Sequence, residues 1–562
     1  DLEAKLGHIN LLKELREICN ASFDSAASGF GQVDCTMVSF LKEKNIASKN
    51  ANPHIQKEKY PGAYVHPPEP AVYDYITDFD YTSLYPSVIM TYNIGVNNFV
   101  MRTQNAEMGY NLAYHHEHLP DTIDMIIDPT YKQKKVKVNT KELLKKIKEE
   151  DLIPTINGCF FKSHKNTISV YSQVLEHLLS SRRAYKKLML DAKEAGDKAK
   201  TSFYNTKQLV YKVLANTLYG VIANKAFRFF DLSCAGAITL GGQEALKNSI
   251  IYGEVFMKHL YDGKEIEKPK EITQTEMYSD EMPDRKPEFI ITGDTDSIFC
   301  CFQAFKGEKT DKQIKEWCDQ IQNYLNNDVM KMVVESHNVP LEFSKLDLKN
   351  ELIIKRGLFL AKKRYVINVT NNEGRVVNEI KFMGLDVKRS DFPSASKDFL
   401  REVINLIMNS EKVSITHINQ YINKQENIFK QLILDGDKSV GRPVGYGKKL
   451  SEYKVVSQGV RALEAFNKIS YHAHDVGSRG YMFRVNGIDL EKAPPDVAEN
   501  YAKFIKEGNT LEVVAIPDEE PRLPPYYIPD LKGNLKFVFE DRYNLLLSPI
   551  NFKKKNEGIL TF

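Results

Sequence analysis

Thr292-Gly293-Asp294-Thr295-Asp296-Ser297-Ile298-Phe299 holds two carboxylates two residues apart between apolar runs, Phe289-Ile290-Ile291 before and Ile298-Phe299-Cys300-Cys301 after. Apolar run, polar turn, apolar run reads as a hairpin. Period-two alternation places Asp294 and Asp296 on one side of the pleat, and Gly293 lets the backbone turn tightly. Adjacent anions repel unless a cation lies between them, so a divalent metal is the simplest companion. Taken alone, the stretch fits a polar turn equally well, because Asp, Thr and Ser are ordinary turn residues.

Two further segments change that balance. Tyr73-Asp74-Tyr75-Ile76-Thr77-Asp78-Phe79-Asp80 reads as a strand running into Tyr81-Thr82-Ser83-Leu84-Tyr85-Pro86-Ser87, a tight turn and a helix start with Pro86 in the first turn. Orphan amides at Ser83 and Leu84 then offer a phosphate site beside the strand-end carboxylate Asp80, although a Ser-capped helix describes the same backbone. Long helical patterns follow from Val170 to about residue 200 and from Tyr204 to Ala226. Arg182 and Lys186 share a face of the first, and Gln208, Lys212, Asn216 and Tyr219 form one stripe on the second. Either stripe alone also fits a solvated face.

A strand-end acid, a hairpin acid pair and a cationic stripe between them in sequence are the parts that two-metal phosphoryl transfer needs. Asp80 and Asp296 bridge two divalent ions about 3.5 to 4 Å apart in that reading, with Lys212, Arg182 and Lys186 clamping a triphosphate. A two-metal nuclease shares the acids but has no use for the clamp. A catalytically silent scaffold needs neither.

Bulk properties set the frame. At 562 residues the chain is too long for one core, and the prior is about three to four domains. Net charge is +3, so any polyanion-binding surface comes from local clustering. The seven cysteines include no C-x-x-C pair, which argues against a zinc or iron–sulfur site. Their odd number without a secretory leader suggests a reducing, cytoplasmic setting. No apolar run approaches the roughly 18 residues of a membrane span. The chain starts at Asp1 rather than Met, as a fragment or processed product would. Residues 1–51 read as a lead-in segment with helical periodicity at Leu6, Ile9, Leu12, Leu15 and Ile18, then a Ser/Gly-containing stretch. Lys141 to Glu150 reads as a Lys-rich surface helix, Glu254 to Lys286 as a charged surface insertion, and Thr310 to His337 as an amphipathic helix. Lys362-Lys363-Arg364-Tyr365 stands at the mouth of a strand and suits phosphates.

In order and wording these motifs resemble the family B DNA polymerases, above all the replicative enzymes of T-even-like phages. Asp80-Tyr81-Thr82-Ser83-Leu84-Tyr85-Pro86-Ser87 is similar to that family's first polymerase motif, Lys212-Val213-Leu214-Ala215-Asn216-Thr217-Leu218-Tyr219-Gly220 to its second, and Asp294-Thr295-Asp296-Ser297 to its third. Lys362-Lys363-Arg364-Tyr365 resembles the motif that holds the primer end, and Tyr60-Pro61-Gly62-Ala63 the linker between proofreading and polymerase regions. The resemblance implies an α+β, right-hand architecture: an antiparallel-sheet palm at 52–167 and 226–387, helical fingers at 168–225 and a mixed thumb at 388–562. It implies template-directed DNA synthesis in replication, on primer-template DNA and deoxynucleoside triphosphates. By the same resemblance two Mg²⁺ ions are expected on Asp80, Asp296 and the Tyr81 carbonyl, with Asp294 nearby and less essential. It also implies that Tyr85 lies under the sugar and excludes a 2′-hydroxyl, and that Asn216 and Tyr219 line the nascent base pair. Ile559-Leu560-Thr561-Phe562 stands where phage enzymes keep a sliding-clamp-binding tail.

Two departures from the family pattern stand out. Leu341-Glu342-Phe343-Ser344-Lys345 has Ser344 where a second acid is often found, which puts a third carboxylate near Glu342 in doubt. No acidic proofreading motifs precede Tyr60, so 3′-to-5′ exonuclease activity is not expected of this chain, and a separate exonuclease polypeptide is a candidate partner.

Overall fold

The computed structural model describes residues 8–48, 60–105, 107–114, 119–127, 134–266, 268–278, 288–307, 309–409, 415–449, 452–470 and 474–547. They form two compact units, one of residues 1–67 with 77–353 and the other of 68–76 with 354–562. The strands Ala71–Tyr81 and Leu348–Ala361 each contribute to both.

In the first unit the central sheet runs Val65–His66, Ile290–Asp294, Ser297–Cys301, Ala71–Tyr81, Leu348–Ala361. The predicted hairpin is there, with one correction. Asp294 pairs with Ser297, so Asp294 closes a strand while Asp296 lies in the two-residue turn. Strict alternation therefore does not relate the two acids. Nor does Gly293 make the turn: it sits in the strand, and a Cβ there would meet Cδ1 of Ile250 at 2.9 Å. Its missing side chain lets a 31-residue helix, Leu232–Asp262, pack closely on the hairpin.

That helix corrects a second expectation. Glu254 begins no surface insertion: it is buried, and its carboxylate accepts the amides of Glu288, Phe289 and Ile290 at 2.8, 2.9 and 3.0 Å. A buried carboxylate is tolerated when charge-assisted bonds satisfy it, each contributing about 1.5–3 kcal/mol. The strand Ile290–Asp294 is thereby tied at its start to the helix. Tyr81, buried at the end of Ala71–Tyr81, shares a 2.7 Å hydrogen bond with the Ser249 hydroxyl of the same helix.

Helices Val170–Glu194 and Lys198–Ile222 form an antiparallel pair, capped by Ser169 and Asp197. Tyr185 stacks on Tyr211 at 5.7 Å, which sets their register. Among the first residues, His8–Cys19 is helical as its periodicity predicts. The Ser/Gly stretch also contains a 15-residue helix, Gly29–Glu43, started by Ser28, whose side chain accepts the Gly31 amide. Thr140–Glu149 forms the expected Lys-rich helix. The Thr310-capped helix Asp311–Tyr324 continues through a π turn at Leu325–Val329 into Met330–Ser336. A five-stranded antiparallel sheet runs Lys134–Asn139, Thr122–Ile127, Phe99–Thr103, Cys159–Phe161, Ile153–Pro154.

In the second unit Lys362 and Lys363 form the turn between Leu348–Ala361 and Arg364–Asn372. Arg364–Asn372 in turn pairs with Arg375–Met383, Tyr365 opposite Met383. Helix Ser394–Asn409 buries Phe399, Val403 and Ile407, one helical face. A four-stranded sheet joins Arg442–Gly445, Arg479–Ile488, Val513–Pro517 and Tyr527–Pro529. Antiparallel strand pairing beside long helices gives the expected α+β character. Among the described residues no helix is long and apolar enough to cross a membrane.

Candidate active site

The site is assembled from three chain segments of the first unit. Asp80 is the penultimate residue of Ala71–Tyr81. The next amide, that of Tyr81, donates to the carbonyl of Asp296 at 2.8 Å, so the strand-end acid and the hairpin-turn acid meet through the backbone. Thr295, between the two hairpin acids, has φ 64°, a left-handed conformation costly for a β-branched residue. It is held there by an amide bond to the Tyr64 carbonyl at 3.0 Å and a hydroxyl bond to Asp294 Oδ1 at 3.0 Å. Ser83 is left-handed too, φ 55°, and its side chain does not cap the helix Leu84–Thr91. The Ser-capped description is corrected accordingly. Strain of about 1–3 kcal/mol per such residue is typical of functional sites and persists only where surrounding contacts over-determine it.

One of those contacts comes from the π turn. Asn326 donates to the Leu348 carbonyl at 2.9 Å and accepts the Leu348 amide at 3.0 Å. The neighbouring Asp347 carbonyl accepts the Thr82 amide at 2.9 Å. A local departure from α-helical geometry thus places an amide side chain against the strand that supports the turn after Asp80.

Burial pushes the Asp80 carboxyl up from 3.8 to about 8, reinforced by the charges of Asp296, Glu351 and Asp78 and opposed by Lys212. Acids that raise one another in a partly dehydrated pocket need either shared protons or a cation. Among the described residues no three His, Cys, Asp or Glu side chains form a complete metal-binding group. Mg²⁺ does not require one, because it keeps several waters and takes one or two carboxylates plus substrate phosphates. The donor set of Asp80, Asp296 and a main-chain carbonyl fits that habit.

Tyr85, the second residue of Leu84–Thr91, lies against Tyr219 with ring centroids 4.2 Å apart. Gly242 makes room for it: a Cβ there would meet Tyr85 Cε1 at 3.0 Å. Burial raises the Tyr85 hydroxyl to about 12, helped by the charges of Asp296, Tyr60 and Asp294. The Tyr219 hydroxyl is raised by burial, by Tyr60 and by Tyr85. Asp80, Asp294, Asp296, Tyr85, Tyr219 and Lys212 therefore act on one another in one neighbourhood. Lys212 and Asn216 are exposed one turn apart on Lys198–Ile222, while Gln208 of the same predicted stripe is buried. Arg182 is half-buried and Lys186 exposed on the paired helix. Leu84 is buried, which leaves it only its backbone to offer a ligand.

Sequence reasoning missed Asp78 and Glu351 as acids acting on Asp80. Asp78 is two residues from Asp80 on one strand, so alternation was a usable signal. Glu351 had none, since only the pairing of Leu348–Ala361 beside Ala71–Tyr81 brings it in. Glu342 is exposed in a short turn, Leu341–Phe343. Lys362, Lys363, Arg364 and Tyr365 belong to the second unit, the two lysines exposed in their turn and the other two half-buried. Ile559, Leu560 and Phe562 lie outside the described residues.

The model of DNA polymerase family B matches residues 30–444, a span holding all three acid and lysine motifs. The chain belongs to this family. Among its family B relatives, the DNA-directed DNA polymerase of Enterobacteria phage T4 is 26% identical over 477 residues, covering 76% of this chain and 49% of the phage protein. That of Escherichia phage RB69 is 25% identical over 449 residues, 72% of this chain and 46% of its own length. A DNA polymerase of Phaeocystis pouchetii virus is 30% identical over 270 residues, 46% of this chain and 24% of the viral protein. The chain thus spans about half the length of the phage family members it matches.

Proposed function

We propose that this chain is a template-directed DNA polymerase that adds deoxynucleoside triphosphates to a primer 3′ end during DNA replication. The observation that carries the reading is the Tyr81 amide bonded to the Asp296 carbonyl at 2.8 Å, which brings the strand end bearing Asp80 to the turn bearing Asp296, and burial and Asp296 push the Asp80 carboxyl up while the Lys212 cation acts against that shift. Half-buried acids within the influence of a lysine suit a reaction in which negative phosphates and metal charge enter together. The names of the phage relatives, DNA-directed DNA polymerases, agree with it.

In this reading Asp80 and Asp296, with the Tyr81 carbonyl and Asp294 nearby, would hold two Mg²⁺ ions, whose charge would favour ionisation of the primer hydroxyl and offset that of the leaving phosphates. Lys212, Arg182 and Lys186 orient the triphosphate, and the amides of Ser83 and Leu84 add donors at a helix start. Tyr85 packs beneath the sugar and excludes a 2′-hydroxyl. Asn216 and Tyr219 face the nascent base pair. Lys362, Lys363, Arg364 and Tyr365 hold primer phosphates, for which an exposed two-lysine turn is suited. The palm, fingers and thumb divisions at 52–167 with 226–387, 168–225 and 388–562 accompany this reading, supported by the acid-bearing antiparallel sheet and the Lys212-bearing helix pair. Three helices stand among the described residues before Tyr60, and a separate proofreading nuclease is proposed as a partner. A sliding clamp reached through Ile559, Leu560 and Phe562 and a host-cytoplasmic setting complete the proposal.

The test is incubation of the chain with primed DNA, Mg²⁺ and the four deoxynucleotides. Primer extension is expected. Digestion alone indicates a nuclease, and retention of DNA without either indicates a scaffold.

A further inference from the structure

The helix Lys198–Ile222 has two working faces. At 3.6 residues per turn, Lys212, Asn216 and Tyr219 fall on one side and Lys207, Leu214 and Leu218 on the opposite side. The first three look toward the proposed nucleotide site. The second three lie on the side where Lys207 meets the N-terminal helix His8–Cys19, and Leu214 and Leu218 are buried in the core that also holds Leu15 and Met37.

Packing alone fills space, but two ion pairs make this contact directional. Lys207 pairs with Glu14 of His8–Cys19, their side chains only 15% and 18% exposed. Arg228, beyond the helix end, makes a bidentate pair with Asp34 of Gly29–Glu43, both bonds 2.8 Å. Phe30 meets Phe227 edge-on at 6.2 Å, and the position of a Cβ on Gly29 would be 3.1 Å from Thr217, which lies between Asn216 and Tyr219. The helix is therefore gripped at its middle, through Lys207, and again just beyond its end, through Arg228, with Lys212 between the two grips. Buried or bidentate pairs cannot slide without leaving a charge uncompensated, so they hold one geometry.

We propose that the helices His8–Cys19 and Gly29–Glu43 form a brace that sets the position of the nucleotide-gripping helix, with Glu14 and Asp34 as positioning residues acting through Lys207 and Arg228. This rests on the polymerase reading above and goes beyond it, assigning the first residues of the chain a part in nucleotide binding.

The experiment is steady-state primer extension by the full chain and its variants Glu14→Gln, Asp34→Asn, Asp34→Glu and the charge-swapped pair Glu14→Lys with Lys207→Glu, titrating nucleotide and primer-template separately. Expected is a five- to fifty-fold rise in nucleotide KM for Glu14→Gln and Asp34→Asn with primer-template KM within two-fold, and partial recovery in Asp34→Glu and in the swapped pair. Nucleotide KM within two-fold of the unaltered chain in the soluble variants, or equal losses for both substrates without recovery on swapping, overturns the brace even if melting temperature falls. Should Glu14→Gln not fold, the swapped pair and Asp34→Asn still decide. An unaltered chain that extends no primer instead defeats the polymerase reading, a result distinguishable from an active chain whose variants keep their nucleotide KM.

Discussion

The amide of Tyr81 donates to the carbonyl of Asp296 at 2.8 Å. These residues are more than two hundred positions apart, and this one bond joins the strand bearing Asp80 to the turn bearing Asp296. It uses main-chain atoms only, so neither carboxylate is consumed in making it. Thr295 and Ser83, left-handed on either side of the junction, record what the arrangement costs locally.

Replacing Asp80 separates stability from function. In metal-free protein its carboxyl ionises near 8 rather than 3.8. The folded chain thus keeps a proton that the unfolded chain releases near 4, so this group's stabilising contribution is full below about pH 4 and is lost as pH rises through 8. Asp80→Asn removes the penalty. Calorimetry in EDTA at pH 8 should show a higher melting temperature for Asp80→Asn than for the unaltered chain, with the gap closing toward pH 4 and Mg²⁺ stabilising only the unaltered chain. A lower melting temperature for the variant at pH 8 contradicts the account.

For sugar selection the residue to change is Tyr85. Tyr85→Ala is expected to lower discrimination against ribonucleotides by roughly 10- to 200-fold, the range one lost packing contact is worth. Single-nucleotide incorporation with matched ribo- and deoxyribonucleotides measures it. Unchanged discrimination assigns the gate elsewhere.

Gly242 offers a way to move Tyr85 without touching it. A Cβ 3.0 Å from Tyr85 Cε1, with Tyr219 on the ring's other contact, leaves the ring little room to yield. Gly242→Ala should destabilise by about 1–3 kcal/mol through overpacking and weaken sugar discrimination less than Tyr85→Ala does. Urea unfolding and the same incorporation assay read both effects, and a variant normal in both speaks against the close packing.

Away from the chemistry, Glu244 and His337 form a fully buried pair, Nε2 to carboxylate 2.9 Å, with Tyr92 and Tyr114 also donating to Glu244. Burial lowers the His337 pKa, but Glu244 outweighs it, so the imidazole stays protonated above its usual range. That stabilisation is complete below pH 6.5 and disappears as pH rises through the raised value. His337→Gln leaves Glu244 buried without its cation, at a cost of about 3–5 kcal/mol near pH 6, and less at pH 9. Denaturant unfolding at the two pH values checks the slope; a pH-independent loss would refute a charged pair.

Much of the site was legible because its parts are local. The hairpin, the strand into Tyr81 and both long helices follow from alternation, helical periodicity and turn residues. What failed was long-range or confined to the turn itself. Asp296 proved to be a turn residue, since hairpin register depends on where the partner strand locks, which Glu254 and Ile250 determine from a helix the charge pattern concealed. Leu232–Asp262 carries glycines and few charges in its first half, because it is buried nearly all round and shows no amphipathic stripe. Glu351 joins Asp80 only through strand pairing. The helix Gly29–Glu43 was obscured by two glycines in its first turn, tolerated there because Ser28 caps it and Gly29 packs against Thr217.

The central claim is that Asp80 and Asp296 serve one reaction centre, and single-turnover primer extension by Asp296→Asn tests it most directly. The account predicts a loss of at least roughly 10³-fold, about 4 kcal/mol of barrier, with Asp294→Asn losing far less and both variants folded. Extension by Asp296→Asn at the rate of the unaltered chain would contradict it.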